Sequence, residues 1–318
     1  MMIIAAQNID NQQRLQSSSG AVFPLIANKC IGNGGVVYGA AFGEDYTVRH
    51  VRVTTADGLK ALYGSKYVFS DLNHSYQNCK SDLDEGKSVI FVGTPCQISG
   101  LKHFLKRTYE NLFLIDFICH GAPPQDIWKK YLYELKGEKE IQSITFRDKR
   151  NGWEKYSVSI QFTDGTEYVN HHNDDLYMVA FIGNLILRKA CYSCTFKGLQ
   201  RESDITLGDL WGAEKLAPDL NDGKGTSLIF INTEKGMAMF SALNENVIWH
   251  DIDVESAIHI NSAAIQASKP SVYFDEFQTR YKKGESLLNI LKSYYQPTVV
   301  QRMRNKIFRQ LKGRRQLK

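Results

Sequence analysis

Short apolar blocks separated by glycine and polar turns run through the first half of the chain. Residues 34–42, "GGVVYGAAF", are read as a strand, and 46–55, "YTVRHVRVTT", alternate apolar with polar as its antiparallel neighbour would. "SYQNCKSDLDEG" (75–86) is read as a short helix ended by Gly86. Two similar units follow. "SVIFVG" (88–93) is a buried-type strand leading into the helical "QISGLKHFLKR" (97–107). "LFLIDFI" (112–118) leads through Cys119, His120 and Gly121 into "PPQDIWKKYLYELK" (123–136), where proline near a helix start costs nothing. Strand, loop and helix in alternation predict parallel strands joined by right-handed crossovers.

From about residue 141 the pattern changes. "ITFRDK" and "YSVSIQFTDGTEYVN" are strands, the latter a hairpin around Asp164 and Gly165. "LYMVAFIGNLIL" (176–187) is a helix leading to the Cys191–Trp211 region. "TSLIFIN" is a strand, "EKGMAMFSAL" its helix, and "DEFQTRYKKGESLLNILKSYY" is helical. The predicted class is therefore α/β (mixed α+β). It has parallel-type βα units in the N-terminal half, a hairpin and cysteine-loop insertion, and a helical C-terminal end. Residues 1–235 form the core, 236–297 a helical part of the same domain, and 298–318 a basic helical tail.

Composition narrows the function classes. With 318 residues, 43% of them hydrophobic and 23% charged, the chain can bury a sizeable core. A net charge of +5 is too small over this length for a nucleic-acid binder, and no nucleic-acid partner is expected. The excess is local, with eight Lys or Arg and no acid between Arg302 and Lys318. Met303, Ile307, Phe308 and Leu311 lie near one face of that tail. It is read either as a solvated helix or as a contact for an anionic membrane surface or an acidic partner. No run of about 18 apolar residues suggests a membrane span. The N-terminus lacks the features of a signal peptide, so a cytoplasmic location with reduced thiols is expected.

Six cysteines in such a setting favour metal or redox chemistry. Cys30 and Cys79 are read as small buried hydrophobes. Cys96 and Cys119 each follow an apolar strand, where ligands of open α/β sheets bind. Each also precedes a helix, whose N-terminal dipole favours a thiolate. Cys191-Tyr-Ser-Cys194 adds a C-x-x-C pair. Four thiolates suit a 4Fe-4S cluster and equally a structural zinc, and spacing does not choose between them. A thioredoxin-type dithiol is disfavoured because the pair follows a helical run. A nucleophilic Cys96 activated by His120 leaves the pair unexplained.

"RLQSSSGAVF", "YGSKYVFS", "GTPCQISGL", "DFICHGAPP", "FRDKRNGW", "CYSCTF" and "SDITLGDLWG" occur in order between about residues 4 and 235. Together they resemble the beta subunit family of coenzyme F-420 hydrogenases and dehydrogenases. The resemblance implies an FAD enzyme with a 4Fe-4S cluster beside the flavin, and makes 1–235 a flavin and iron–sulfur oxidoreductase core. It implies Cys96, Cys119, Cys191 and Cys194 as cluster ligands. It places Ser17, Ser18, Ser19, Gly20, Ser65, Lys66, Tyr67, Thr94, Gln97, His120 and Gly121 around the flavin. His120, titrating near neutrality, is the candidate proton carrier. A ferredoxin-like partner and a small organic acceptor, a deazaflavin coenzyme or a polysaccharide-related substrate, are implied with it.

Each of these residues also has a plainer reading. "SSSG" is a polar loop with Ser19 capping the next helix. His120 is a capping or satisfied histidine. Arg147 and Lys149 hold an acidic ligand or form a solvated face. Asp209 and Trp211 end a strand or shield the cluster. "DGKGTS" (222–227) is a turn before it is a phosphate contact. The chain departs from its relatives in two places. It lacks the ferredoxin-like cysteine segment with which many of them begin. It also carries Ala21 where "SSSGG" is usual, which would crowd a left-handed backbone. The rival function is a non-enzymatic zinc-binding or scaffold protein whose flavin site has decayed.

Overall fold

A computed structural model describes residues 1–296, so the basic tail expected over 298–318 lies outside the described residues. The strands are β1 (Met2–Asn8), β2 (Val36–Phe42), β3 (Val48–Val53), β4 (Val89–Val92), β5 (Leu112–Phe117), β6 (Ile141–Asp148), β7 (Ser157–Phe162), β8 (Glu167–His171), β9 (Ile205–Asp209), β10 (Ser227–Ile231) and β11 (Val247–Asp251). The helices are α1 (Asn11–Gln16), α2 (Val22–Gly32), α3 (Ser75–Asp84), α4 (Pro95–Leu105), α5 (Gln125–Lys136), α6 (Leu176–Ile182), α7 (Lys189–Tyr192), α8 (Ala213–Leu216), α9 (Glu234–Ser241), α10 (Val254–Ile260), α11 (Phe274–Lys282) and α12 (Leu287–Tyr295).

Eight strands form one mixed sheet in the order β11-β1-β10-β9-β5-β4-β2-β3. Its centre is parallel: β2 pairs β4, β4 pairs β5 and β5 pairs β9 in the same direction. β3 closes one edge antiparallel, as the alternation in 46–55 predicts. The other side, β10, β1 and β11, is antiparallel throughout. β4 and β5 are buried on both faces, as central parallel strands are. The expected mixed α/β class, with its βα units and helical end, is the one observed.

Three local features differ from the sequence expectation. β1 is a strand at the heart of the antiparallel half, although nothing near it signals a turn or partner. Its partners, β10 and β11, lie more than 200 residues away. β11 adds a strand within the segment expected to be helical. The helix expected over 176–187 stops at Ile182. Gly183 and a left-handed Asn184 (φ 57°) end it, while Leu185, Ile186 and Leu187 go on into the core as loop.

The insertion between β5 and β9 builds the second layer. The antiparallel sheet β6-β7-β8 shares one core with α5, α6, α11 and α12, centred on the buried Trp128, Tyr131, Tyr177 and Phe146. This layer stands over the C-terminal ends of the parallel strands. The loops after β4, β5 and β9, the start of β10 and the "SSSG" loop after β1 and α1 all reach that edge.

Candidate functional site

A cleft of about 640 Å³ opens there, within the size range of ligand pockets. Ser17, Ser18, Ser19, Ser65, Lys66, Tyr67, Thr94, Gln97, His120 and Gly121 all line it. The serine loop is held by its surroundings rather than by the helix it precedes. Ser19 Oγ donates to Thr226 O at 2.8 Å, Ser18 Oγ meets Ser65 Oγ at 2.7 Å, and Trp153 Nε1 donates to Ser18 O at 3.0 Å. Ser19 does not cap α2: the cap position is Ala21, which makes no side-chain bond.

Gly20 stands behind the wall. A Cβ there would sit 2.3 Å from Ala6 O and 2.7 Å from Ser227 N, so the loop is pressed onto β1 and β10. Ala21 is left-handed, with φ 60° and ψ 35°, a conformation that costs an alanine roughly 1–2 kcal/mol. The residue that departs from the "SSSGG" pattern therefore occupies a backbone position suited to glycine, and the chain adopts it nonetheless.

The basic wall is not a solvated face. Arg147 is buried, ion-paired with Asp209 at 3.0 Å and bonded to the Tyr67 hydroxyl at 3.2 Å. Its guanidinium lies 4.1 Å from the Tyr156 ring centre and 5.1 Å from that of Trp211. Trp211 stacks on Trp153 at 4.9 Å, so it walls the cleft. Lys149 donates to Arg14 O at 2.8 Å and Lys224 O at 2.7 Å, and burial lowers its pKa to about 7. The "DGKG" turn is fastened by Asp222 to Arg14, with Gly225 packed against Ser19.

The floor is a buried hydrogen-bond chain that the sequence reading did not single out. Gln97 Oε1 accepts from Thr94 N–H at 2.9 Å, and its Nε2 donates to Ser70 Oγ at 3.0 Å. Ser70 Oγ therefore donates to His50 Nδ1 at 2.9 Å, leaving His50 Nε2–H to donate to Val92 O at 2.9 Å. Burial lowers the His50 pKa to about 4, so the ring is neutral at neutral pH. The chain fixes the turn carrying Cys96. No sequence motif marks His50, an inward position on an edge strand. Lys66, expected beside the flavin, spends its ammonium on Ala61 O (2.9 Å) and Tyr63 O (2.8 Å). Burial lowers its pKa to about 7.

β4 and β5 are neighbours, so Cys96 and Cys119 share the sheet edge. Beyond burial, charge on Cys96 or Cys191 raises the Cys119 thiol further, and charge on Cys96 or Cys194 does the same to that of Cys191. The four thiols thus form one electrostatic group. Cys96 lies in the first turn of α4, with Thr94 Oγ1 3.1 Å from its sulfur. Cys119 does not open a helix, since α5 begins only at Gln125. Burial instead pushes its thiol up to about 12. Cys119 also lines the cleft, with His120 and Gly121 next along the wall. His120 packs edge-on to Phe181 at 5.0 Å; its Nε2 is buried without a partner, and burial lowers its pKa. Lys197, three residues after Cys194, is a site residue the sequence reading missed. It donates to Cys119 O and to Ala263 O. Cys30 and Cys79 are buried elsewhere, with burial raising both thiols, as expected of structural cysteines.

The donor set can be tested against the candidate groups. Among the described residues, no three His, Cys, Asp or Glu side chains converge closely enough to hold one metal ion. Four thiolates on one zinc stand roughly 4 Å apart, given Zn–S bonds of about 2.3 Å. A cubane carries one thiolate on each of four irons and spaces them wider. Four thiols from three segments supply the thiolate count that a cubane needs, one to each iron. The adjoining cleft offers a mainly apolar wall, an unpartnered imidazole nitrogen and basic side chains at one end, which fits a flavin dinucleotide.

The family model for the C terminus of the beta subunit of coenzyme F420 hydrogenase/dehydrogenase matches residues 86–255, more than half of the chain. A chain of the F420-reducing NiFe hydrogenase complex from Methanosarcina barkeri has a similar structure. Its TM-score is 0.55 at 12% identity, covering 90% of this chain and 94% of that one. No curated protein matches.

Proposed function

The chain belongs to the family defined by the C terminus of the coenzyme F420 hydrogenase/dehydrogenase beta subunit, and from that premise we propose that it is a flavin and iron–sulfur oxidoreductase. In this reading Cys96, Cys119, Cys191 and Cys194 hold a 4Fe-4S cluster and the cleft holds FAD. Electrons pass between a ferredoxin-like partner and a small organic acceptor, a deazaflavin coenzyme or a polysaccharide-related substrate. The observation that carries it is Cys119, which belongs to the coupled thiol group and to the cleft wall at once. Residues 1–235 form the redox core and 236–297 belong to the same domain. Among the described residues no helix is long and apolar enough to cross a membrane; a cytoplasmic location is part of the proposal.

Bound together, the two cofactors would supply one-electron and two-electron chemistry side by side. The protein's own residues bind, orient and exclude water. Backbone groups of Ser17–Ser19, close to Gly225, form a cradle for a phosphate or the flavin edge, with Arg147 supplying positive charge behind it. Tyr67, Phe181 and Leu207 present apolar surface that keeps the redox centre dry. His120, neutral because burial lowers its pKa, takes or returns a proton at Nε2.

The test is reduction of bound FAD by a one-electron donor, reduced methyl viologen, in anaerobic stopped flow. Cys191→Ser is expected to keep its FAD, lose iron and sulfide, and slow flavin reduction at least about tenfold. Equal rates in the two proteins would sink the proposal.

A further inference from the structure

The loop that follows the C-x-x-C pair carries a cation into the cysteine group. The Lys197 ammonium donates to the carbonyl of Cys119 and, at 2.8 Å, to that of Ala263. Burial lowers its pKa, while the charges of Cys119, Cys194 and Cys191 raise it and that of Arg201 lowers it. Both hydrogen bonds given for the ammonium go to carbonyl oxygens, and neither goes to a carboxylate. A half-buried ammonium without a carboxylate is costly unless another negative group balances it. The four cysteines are the negative groups at hand once they are ligated as thiolates.

Its position is built rather than accidental. The turn Ser262–Ala264 holds the whole loop: Gly198 N–H donates to Ala264 O at 2.9 Å and Arg201 to the same carbonyl at 2.7 Å. Arg201 in turn faces Asp116 at 3.6 Å, on the strand that leads to Cys119, with both side chains fully buried. Lys197 is thereby clamped from the C-terminal part of the chain onto the segment bearing Cys119.

We infer that Lys197 is a potential-setting residue for the cluster, its charge favouring the reduced form. Reduction adds a negative charge to an already anionic four-thiolate centre, and a fixed cation beside it stabilises that added charge. Net charge and hydrogen bonding around the sulfurs are the levers by which proteins tune such centres. The inference rests on the reading of the four cysteines as iron–sulfur ligands, and its test separates the two.

The full chain is purified anaerobically as wild type, Lys197→Met, Lys197→Gln and Lys197→Arg. Iron and sulfide are measured, and the cluster is titrated electrochemically with electron paramagnetic resonance as the readout. If charge sets the potential, Met and Gln keep wild-type cluster content and share one shift. At a fixed potential their oxidised-to-reduced ratio rises on the order of tenfold, a fall in midpoint of about 59 mV for one electron. Arg keeps the wild-type midpoint. Gln retains amide donors for the two carbonyls, so it serves if Met fails to assemble. Wild-type midpoints in Met and Gln alike overturn the inference while leaving the cluster reading intact. A shift in Met with none in Gln also overturns it, since hydrogen bonding and not charge would then be responsible. Wild-type protein without iron and sulfide overturns both.

Discussion

His50→Gln tests whether the cleft floor is a neutral, buried hydrogen-bond chain. The ring sits in contact with Phe91, at 5.2 Å between ring centres, and bonds to Ser70 and Val92. At neutral pH the substitution loses or weakens two bonds, costing about 1–2 kcal/mol. The pH dependence is more diagnostic. The folded pKa is about 4 against 6.5 unfolded, so the unfolded chain takes up the proton first as pH falls. The stability contributed by neutral His50 is complete above pH 6.5 and is lost as pH falls through 4. At 1.36 kcal/mol per unit, the wild type loses about 3 kcal/mol relative to the variant over that interval. Urea denaturation of both proteins across the interval should give curves that cross, the variant being weaker at neutral pH and stronger near pH 4. A gap independent of pH would refute the argument. The comparison must be with the variant, because Asp116 acts in the opposite sense. Burial raises its carboxyl to about 6, so the native state holds its proton where the unfolded chain has released it.

Asp116→Asn should accordingly show the mirror result: relative to it, the wild type gains about 3 kcal/mol as pH falls from about 6 to 4, read by the same denaturation. Arg147→Met strips the partner from the half-buried Asp209 and should cost about 3 kcal/mol, while adding Asp209→Asn should recover part of it; additive losses in the thermal midpoints would count against the pair. Gly20→Ala forces a Cβ against the backbone of β1 and β10 and should cost more than 3 kcal/mol by the same assay, whereas wild-type stability would mean the loop is not pressed there.

In the parallel half β4 and β5 were readable because each is a dense apolar block with a helical stretch after it. In the antiparallel half β10 was readable but β1 was not, since β1 finds its partners only through contacts made more than 200 residues later, which leave no local trace. The same division holds at the site. Cys96, Cys119 and the C-x-x-C pair stand out by residue type and spacing. His50, an alternating residue in β3, and Lys197, one lysine among many, acquire meaning only from what the fold sets beside them. Arg147 was visible but its setting was not, because Trp211 and Asp209, which help to enclose it, come from a segment some 60 residues away. Ala21 shows the reverse: a departure noticed in the sequence marks a true left-handed position, which the surrounding packing overrides.

The most direct test of the proposed function is cofactor analysis of the full chain purified without oxygen. Iron, acid-labile sulfide, zinc and extracted flavin are measured together with the visible spectrum. The expected result is about four iron and four sulfide per chain, as a 4Fe-4S centre requires, together with bound FAD and little zinc. A colourless protein carrying zinc, with neither sulfide nor flavin, would contradict it.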